Sequence, residues 1–203
     1  MAYPTVDGPY GFQPINLIGG QVFAGQIRHY PIASGSGTSI FAGDVVRLNT
    51  GGTLSRVSTT DSATDAVGIF MGCQFTNPTT KQLLQQQYFP ASTVASDIQA
   101  FVLDDPDALF KVAVLSGAST IGGMTQTDIG NNVAILATAG STTTGDSKEG
   151  VSATTGSTTT LPFRVIAGIP ETVNASGSFT EVIVKFNFGV HTYYSAAAVA
   201  TAA

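Results

Sequence analysis

The densest group of side chains that could bind a cation consists of Asp104, Asp105 and Asp107. Carboxylate oxygens at this density are ligands that Ca²⁺ prefers. The Gly-containing loop and the distal Glu of an EF-hand are both missing, however, and Pro106 lies inside the group. An Asp that can cap a helix, a Pro at the first helical position and a further acid indicate a capped turn. A weakly held surface cation is the alternative interpretation.

Residues that commonly bind transition metals or act as nucleophiles are scarce. His29 and His191 are the only histidines, and Cys73 is the only cysteine. Since zinc sites need three or four such ligands at characteristic spacing, we predict no metal site and a structural role for both histidines. Cys73 closely follows the apolar run 67–71, which predicts a reduced thiol in the core. A reactive thiol is the alternative, and it would need a His base.

Motifs of covalent and phosphate chemistry are absent. The sequence contains neither a Gly-x-Ser-x-Gly elbow nor a Gly-x-x-x-x-Gly-Lys-Ser/Thr loop. Glycosidases need two carboxylates that face each other across a cleft, and no feature of this sequence pairs any two. Trp, which could supply a large aromatic platform for a sugar, is also absent. We therefore predict no catalytic residue and no cofactor, and we expect a protein that is not an enzyme.

The charge of the chain argues against two classes of partner. The 8 Lys and Arg are outnumbered by 13 Asp and Glu, for a net charge of −5, and the cations are scattered singly. Because binding nucleic acid requires clustered Lys and Arg, we expect no nucleic-acid partner. No apolar run approaches the roughly 20 residues of a membrane span, and no secretory signal is visible. We therefore expect no membrane association and synthesis in a cytoplasm without export.

The predicted surface is polar but poor in charge. Only 10 % of the residues are charged, against about 25 % in an ordinary soluble domain. Ser, Thr, Asn and Gln must therefore supply much of its hydrophilic character. Such a surface suits a protein that packs against neighbours, because few charges lose their water on contact. It also suits secreted passenger domains, so composition alone does not decide between them.

The elements that position these residues are short apolar runs rich in β-formers and separated by turn residues. The predicted strands cover residues 21–32, 43–48, 53–57, 67–75, 98–103, 109–115, 133–137, 163–169 and 181–188. Asn49-Thr50-Gly51-Gly52, between two of them, is the strongest hairpin signal. In the last run, alternate apolar residues from Val182 to Phe188 face away from Glu181 and Lys185, which predicts a half-buried strand.

This pattern predicts an all-β fold. A single β-sandwich or barrel-like domain, jelly-roll-like in character, is expected over residues 21–192. Helical signals are limited to single turns, which are predicted at 81–87, 104–107 and 124–129. The Ala-rich residues 193–203 are predicted to form a C-terminal tail.

Two segments differ from the rest of the predicted domain. Residues 1–20 contain Pro4, Pro9 and Pro14 and several Gly, which exclude a helix and predict an extended N-terminal arm. We expect its apolar side chains to contact a neighbouring subunit, with docking on its own domain as the alternative. These candidate contact residues are Tyr3, Tyr10, Phe12, Ile15, Leu17 and Ile18. The Gly/Ser/Thr-rich stretch 139–160 predicts a solvent-facing loop, with an exposed hairpin as the alternative.

Several stretches of the chain resemble capsid structural proteins of marine tailed phages. The first are Ala2-Tyr3-Pro4-Thr5-Val6-Asp7-Gly8-Pro9-Tyr10-Gly11 and Pro14-Ile15-Asn16-Leu17-Ile18-Gly19-Gly20. The others are Gly43-Asp44-Val45-Val46, Gly68-Ile69-Phe70-Met71-Gly72-Cys73, Phe89-Pro90-Ala91-Ser92 and Val102-Leu103-Asp104-Asp105-Pro106. The resemblance covers about the first half of the chain and excludes the 139–160 stretch and the tail. Within this group, the chain is most similar in character to the capsid decoration (cement) proteins of bacteriophages and cyanophages.

The resemblance implies a β-rich, non-enzymatic protein on the outer surface of an icosahedral virion. Its implied partners are the major capsid protein and further copies of itself, as a homotrimer or alternatively a homodimer over junctions between capsid subunits. Multivalent attachment would add modest contacts into tight binding, and an extended arm could add a strand to a neighbour's sheet. The implied mechanism is to bridge adjacent capsid subunits against the pressure of packaged DNA.

Three rival functions have features that the sequence can be checked for. A receptor- or glycan-binding tail-fibre module would normally show a coiled coil or repeats, and neither is visible. A glycan-active enzyme or lectin would need an aromatic, carboxylate-lined cleft. A major capsid protein needs a long spine helix, and the sequence has no long amphipathic helical pattern.

Overall fold

A computed structural model describes residues 6–58 and 66–187. These residues form an all-β structure, which confirms the predicted barrel or sandwich class. Two 3-10 helices, Gln126–Asp128 and Pro170–Thr172, accompany the strands. The strands are β1 (Gln13–Leu17), β2 (Arg28–Pro31), β3 (Val45–Leu48), β4 (Leu54–Arg56), β5 (Ala66–Thr76), β6 (Leu83–Gln86), β7 (Gln99–Leu103), β8 (Ala108–Leu115), β9 (Asn132–Leu136), β10 (Gly150–Gly156), β11 (Phe163–Gly168) and β12 (Glu181–Phe186).

Five strands close into a barrel in the order β8-β10-β9-β11-β12, because β12 pairs back onto β8. In that closing pair, which is antiparallel, Val182 lies opposite Val112 and Val184 opposite Phe110. The β8–β10 pair is parallel, whereas the other pairs of the barrel are antiparallel. Strand β1 adds to the barrel by antiparallel pairing with β8. Closure removes the open sheet edges that would otherwise invite aggregation.

Alternating apolar residues of the barrel strands fill its interior. The rings of Phe12 and Phe163 are stacked with their centroids 4.6 Å apart, and Phe110 meets both edge-on. Phe186 packs against Phe163 with a centroid distance of 4.5 Å. Full burial of such a side chain stabilises the fold by about 1.5–3 kcal/mol, so this aromatic group is a major source of stability.

The remaining strands form a second sheet in the order β2-β7-β5-β3-β4, with β6 also paired to β5. Ile32, next to β2, makes an isolated parallel bridge with Leu54 of β4, so the two outer strands of this sheet approach each other. One set of side chains, including Ile69 of β5, joins the barrel core. The opposite set, including Phe70, forms a second core. Both faces of β5 are therefore buried, as its continuous apolar sequence indicates.

Several local predictions are confirmed. Strands β3 and β4 form the hairpin around residues 49–53, and β5 matches the predicted apolar strand. A 3-10 helix follows Thr125, where Thr125 and Asp128 form a reciprocal capping box. The chain turns at residues 106–107, as the acidic group indicates, and Asp105 Oδ1 accepts a hydrogen bond from the Asp107 amide, but this turn is not helical.

Two predictions of local structure are wrong. Residues 81–87 do not form a helical turn, because Leu83–Gln86 pairs with β5 as a strand. The strand 181–188 is not half-buried over its described part. Glu181 and Lys185, which are predicted to face solvent, are only 5 % and 3 % exposed, and only Ile183 of β12 is partly exposed. Both charged side chains have charged partners, which makes their burial tolerable. Phe188 and the predicted C-terminal tail lie outside the described residues.

The predicted boundaries of the two unusual segments also need correction. Residues 6–20 of the predicted arm do not lie outside the compact core, since Phe12 is 1 % exposed and β1 is part of the barrel sheet, and residues 1–5 lie outside the described residues. The stretch 139–160 is not one solvent-facing loop, because Gly150–Gly156 is barrel strand β10. Its Ser and Thr residues satisfy their main-chain groups by pairing with β9 and β8, which a hydrophobicity pattern does not reveal.

Candidate functional site

The predicted contact residues are distributed between the core, the barrel wall and the surface. Phe12 is enclosed in the barrel core and cannot contact a neighbouring subunit. Ile15 and Leu17 lie on β1 and are partly buried, with Leu17 packed against the barrel core. Ile18 is 48 % exposed, and Tyr3 lies outside the described residues. Of the described residues in the predicted set, Ile18 is therefore the one that presents a large apolar surface to solvent.

Tyr10 also makes contacts within its own chain. Its hydroxyl donates a hydrogen bond to Glu181 Oε1, and the Lys111 ammonium lies 5.4 Å from the centre of its ring. Lys111 Nζ is in turn 3.0 Å from Glu181 Oε1. Burial and the neighbouring Glu181 carboxylate raise the pKa of the Tyr10 phenol. Tyr10 thus covers an ion pair on the barrel wall and holds the chain next to β1 in place.

The main exposed apolar feature near the predicted arm is the connection from β1 to β2, here called the apolar segment 18–27. Val22 is 79 % exposed and Ile27 is 43 % exposed, whereas Phe23 partly packs against the barrel core. No charged residue occurs between Asp7 and Arg28. A segment that is anchored at its middle but keeps apolar side chains in water is a candidate contact surface.

The apolar segment 18–27 lies mostly after the contact residues that the sequence predicts. Val22 and Ile27 fall within the predicted strand 21–32. In the structure, only Arg28–Pro31 of that stretch is a strand. The uncharged composition between Asp7 and Arg28 is the sequence signal for this exposed segment.

A second site, here called the junction cluster, joins the second sheet to the barrel. It consists of Asp44, Arg56 and Glu149, and both carboxylate side chains are fully buried. Arg56 Nε lies 3.2 Å from Asp44 Oδ2 and 2.9 Å from Glu149 Oε1. The Val45 amide donates to Glu149 Oε2 at 2.8 Å, and the Phe41 amide donates to Asp44 Oδ2 at 2.8 Å. Side chains from both parts of the fold thus meet in one network.

Tight backbone packing next to this cluster explains its position. Gly11 has a φ of +81°, and a Cβ placed there would lie 2.6 Å from Ser147 Cβ. Its amide donates to the Glu149 carbonyl, and the next amide, of Phe12, donates to the carbonyl of Gly43. The N-terminal chain therefore passes between the second sheet and the start of β10, and only Gly fits there without strain.

Burial dominates the electrostatics of the junction cluster. It raises the pKa of both carboxyl groups, and the Glu149 carboxyl is raised further by the negative charge of Asp44. Arg56 acts in the opposite direction on each of them. Residue types alone do not indicate this site, because Glu149 lies inside a stretch that is predicted to face solvent.

Cys73 and His29 pack against other side chains of the fold. Cys73 is fully buried in the second core, which confirms its predicted position, and burial raises the pKa of its thiol to about 12. His29 lies on β2 against the ring of Phe101, and His191 lies outside the described residues. Among residues 6–58 and 66–187, no three His, Cys, Asp or Glu side chains converge in a way that could hold a metal ion.

The acidic turn contributes to a polar network rather than a group of converging ligands. Asp104 Oδ2 accepts a hydrogen bond from the Tyr30 hydroxyl at 2.8 Å and lies 3.1 Å from Arg28 Nε. Asp107 Oδ1 lies 2.9 Å from Lys185 Nζ. Two of the three carboxylates of the turn therefore pair with cations on different strands, β2 and β12.

A polar cleft of about 270 Å³ lies beside the N-terminal chain. Its lining combines an aromatic ring with hydroxyl, amide and charged groups. The lining residues are Pro9, Tyr10, Gln13, Ser141, Thr144, Asp146, Ser147 and Lys148. The carboxylate of Asp146 accepts a hydrogen bond from the side-chain amide of Gln87. One of the charged groups that line the cleft is therefore already bound within the protein.

Comparison with known proteins does not assign this architecture to a family. No helix in the described part of the chain is long and apolar enough to cross a membrane. Searches against family models, curated proteins and solved structures found no match to this chain.

Proposed function

We propose that this chain is a capsid decoration protein that binds the outer surface of a virion and bridges adjacent major capsid subunits. The observation that carries the proposal is the exposed, uncharged apolar segment 18–27 on a closed barrel. The resemblance to capsid structural proteins of marine tailed phages supports the same function. In this proposal the protein is not an enzyme, and its role is to stabilise the head against internal DNA pressure.

The fold suits such a role because its contact segment is held at both ends. The Leu17 amide donates to the Gln21 carbonyl at 2.9 Å, and the Ile18 amide donates to the Asp107 carbonyl at 2.9 Å. At the other end, β2 pairs with β7. A surface segment that is ordered before contact loses less conformational entropy on binding.

The proposed assembly is a homotrimer, with a homodimer as the alternative. Several copies of a modest contact can give slow dissociation, because each further attachment is intramolecular. Few charges have to be desolvated on a surface with this composition. Low charge therefore favours close packing of this chain both on the major capsid protein and on its own copies.

The proposal is tested with a charge placed in the contact segment. Val22→Asp should reduce occupancy on capsids at least tenfold, because a carboxylate would be buried in an apolar contact. Occupancy is measured by co-sedimentation with particles stripped of this chain and by cryo-electron microscopy. Val94→Asp is the matched control, since Val94 is also an exposed valine, at 63 %, but lies outside the segment.

The two variants separate contact from general loss of solubility. Normal binding by Val94→Asp together with weak binding by Val22→Asp supports the proposed surface. Equal binding by both variants contradicts it. Density for the chain at the tail tip rather than over capsomer junctions would contradict the decoration function itself.

The polar cleft favours a second candidate function, the binding of a virion receptor or glycan. Hydroxyl groups of Ser141 and Thr144, the amide of Gln13 and the ring of Tyr10 are groups that commonly contact sugars. A glycan array probed with the purified chain tests this candidate. Specific binding that is lost in Gln13→Ala would favour it over the decoration function.

A further inference from the structure

The junction cluster contains more negative than positive charge. Asp44 and Glu149 would each carry one negative charge if ionised, and Arg56 supplies one positive charge. Both carboxylates are at 0 % side-chain exposure, and Arg56 is at 14 %. An uncompensated charge in such a site is strongly unfavourable, and a carboxyl group there takes up a proton instead.

We propose that the junction cluster keeps one proton at neutral pH, on Oδ1 of Asp44, and that loss of this proton loosens the contact between the second sheet and the barrel. The inference does not depend on the proposed capsid function. It concerns a conformational response to pH that is built into the fold.

Hydrogen bonding identifies the atom that holds the proton. Glu149 accepts a donor on each oxygen, from Arg56 Nε and from the Val45 amide. Asp44 Oδ2 accepts from the Phe41 amide and lies near Arg56 Nε. Asp44 Oδ1 is buried and has no hydrogen-bond partner. Three of the four carboxylate oxygens thus accept from donors of the protein. A proton on the fourth, Asp44 Oδ1, does not displace any donor.

The groups that surround Asp44 come from each element of the junction. Arg56 belongs to β4, and Glu149 directly precedes β10. Ser147 lowers the pKa of the Asp44 carboxyl group, although burial has the larger and opposite effect. The carbonyl of Thr138 accepts from Arg56 Nη2 and so holds the guanidinium toward the barrel.

The sign of the pH effect follows from the raised pKa values. Above about pH 4 an exposed carboxyl group has lost its proton in the unfolded chain, whereas the folded cluster still holds one. Stability is therefore highest at low pH with respect to this group. It falls as the pH rises through the window between that value and the raised pKa, and then stays level.

Loss of the proton should first change the hydrogen exchange of the two amides that donate to the cluster. The Phe41 and Val45 amides donate to Asp44 and Glu149 respectively. If opening of the junction releases the proton, its equilibrium constant rises about tenfold for each pH unit across the window. Faster hydrogen exchange at these amides, beyond the intrinsic effect of pH, is the local signature.

The direct test is a carboxyl-carbon NMR titration of the full wild-type chain. One carboxyl group of the Asp44–Glu149 pair should still hold its proton at pH 7, where an exposed carboxyl group has lost it. Asp44→Asn should abolish that titration and the pH-dependent excess exchange at Val45. Asp7→Asn removes an exposed carboxyl group and should change neither readout.

Each other outcome contradicts a defined part of the proposal. If both carboxyl groups have already lost their protons at pH 7, the cluster holds no proton at neutral pH. If Glu149→Gln rather than Asp44→Asn abolishes the high titration, the proton is on Glu149. If the titration occurs without excess exchange at Phe41 or Val45, the proton does not control the junction. The wild-type titration needs no variant, so it decides the first point even if Asp44→Asn fails to fold.

Discussion

At the scale of single residues, the local sequence around Phe12 does not determine whether its ring packs in its own barrel or against another subunit. It lies among Pro and Gly residues that exclude regular helix, yet its ring is stacked on Phe163 in the centre of the barrel. The same local sequence could have delivered this ring to another subunit. Only the position of β1 beside β8 decides between the two.

Phe12→Ala should lower the free energy of unfolding by about 3–5 kcal/mol, because it removes a buried ring and leaves a cavity. Denaturant unfolding followed by circular dichroism measures the change. Val22→Ala, at a position 79 % exposed, should change stability by no more than about 0.5 kcal/mol. Similar losses in the two variants would mean that Phe12 is not part of the core in solution.

At the scale of elements, β1 connects the N-terminal chain to the barrel. Its antiparallel pairing with β8 supplies main-chain hydrogen bonds beside the seam where β8 also meets β12. The residues just before it, Tyr10 and Gly11, contact β12 and the junction cluster through the Glu181 side chain and the Glu149 carbonyl. Removing this element would therefore disturb both parts of the fold.

Truncation separates the role of β1 from that of the residues before it. Deletion of residues 1–8 should leave cooperative unfolding almost unchanged, because it keeps Tyr10, Phe12 and β1. Deletion of residues 1–17 should abolish cooperative unfolding or lower the melting temperature by more than about 10 °C, since a loss of 3–5 kcal/mol from Phe12 alone corresponds to such a shift. Thermal scanning of both chains makes the comparison. A stable 1–17 deletion would restore the original expectation of a separate arm.

The elements that could be predicted from the sequence are those fixed by local chemistry. The Asn49-Thr50-Gly51-Gly52 loop defines the β3–β4 hairpin, and the apolar run of β5 requires burial on both faces. Strand β6 could not be predicted, because Leu83–Gln86 becomes extended by pairing with β5. Strand β10 has little apolar sequence, and it takes part in a parallel pair with β8 that has no local signal.

The apolar segment 18–27 and the junction cluster also differ in how far the sequence predicts them. Exposure of the apolar segment 18–27 was partly foreseeable, because its sequence is apolar, uncharged and broken by Gly. The junction cluster was not foreseeable, because Glu149 lies 93 residues after Arg56 and falls in a stretch that is predicted to face solvent. The site exists because the fold brings the second sheet and the start of β10 together, which residue types alone do not reveal.

At the scale of the whole molecule, low charge is the property that links fold and proposed function. In the described part of the chain, the carboxylates of the junction cluster are fully buried, and the Lys111–Glu181 and Lys185–Asp107 pairs each have one buried partner. The proposed contact segment contributes no charge at all. Attachment to a capsid should therefore depend on apolar contact more than on charge pairing.

The dependence of attachment on apolar contact can be tested by changing the salt. Raising the NaCl concentration from 0.05 to 0.5 M, which strongly screens exposed charges, should change the affinity for stripped capsids less than about threefold. Sodium sulfate should strengthen binding, because it favours burial of apolar surface. Equilibrium co-sedimentation measures both effects. A loss of binding in NaCl would show that attachment is electrostatic and would contradict the proposed contact.

The closing pair of the barrel has a consequence for how the protein is made. Strand β8 leaves the ribosome well before β12, which must pair with residues 109–113 to complete the cylinder. All strands of the second sheet precede β8 in the chain, so that sheet can assemble during translation. The nascent barrel keeps an apolar strand without its final partner until residue 185 has been synthesised. Retention of the growing chain by a ribosome-associated chaperone is therefore expected to end when β12 emerges.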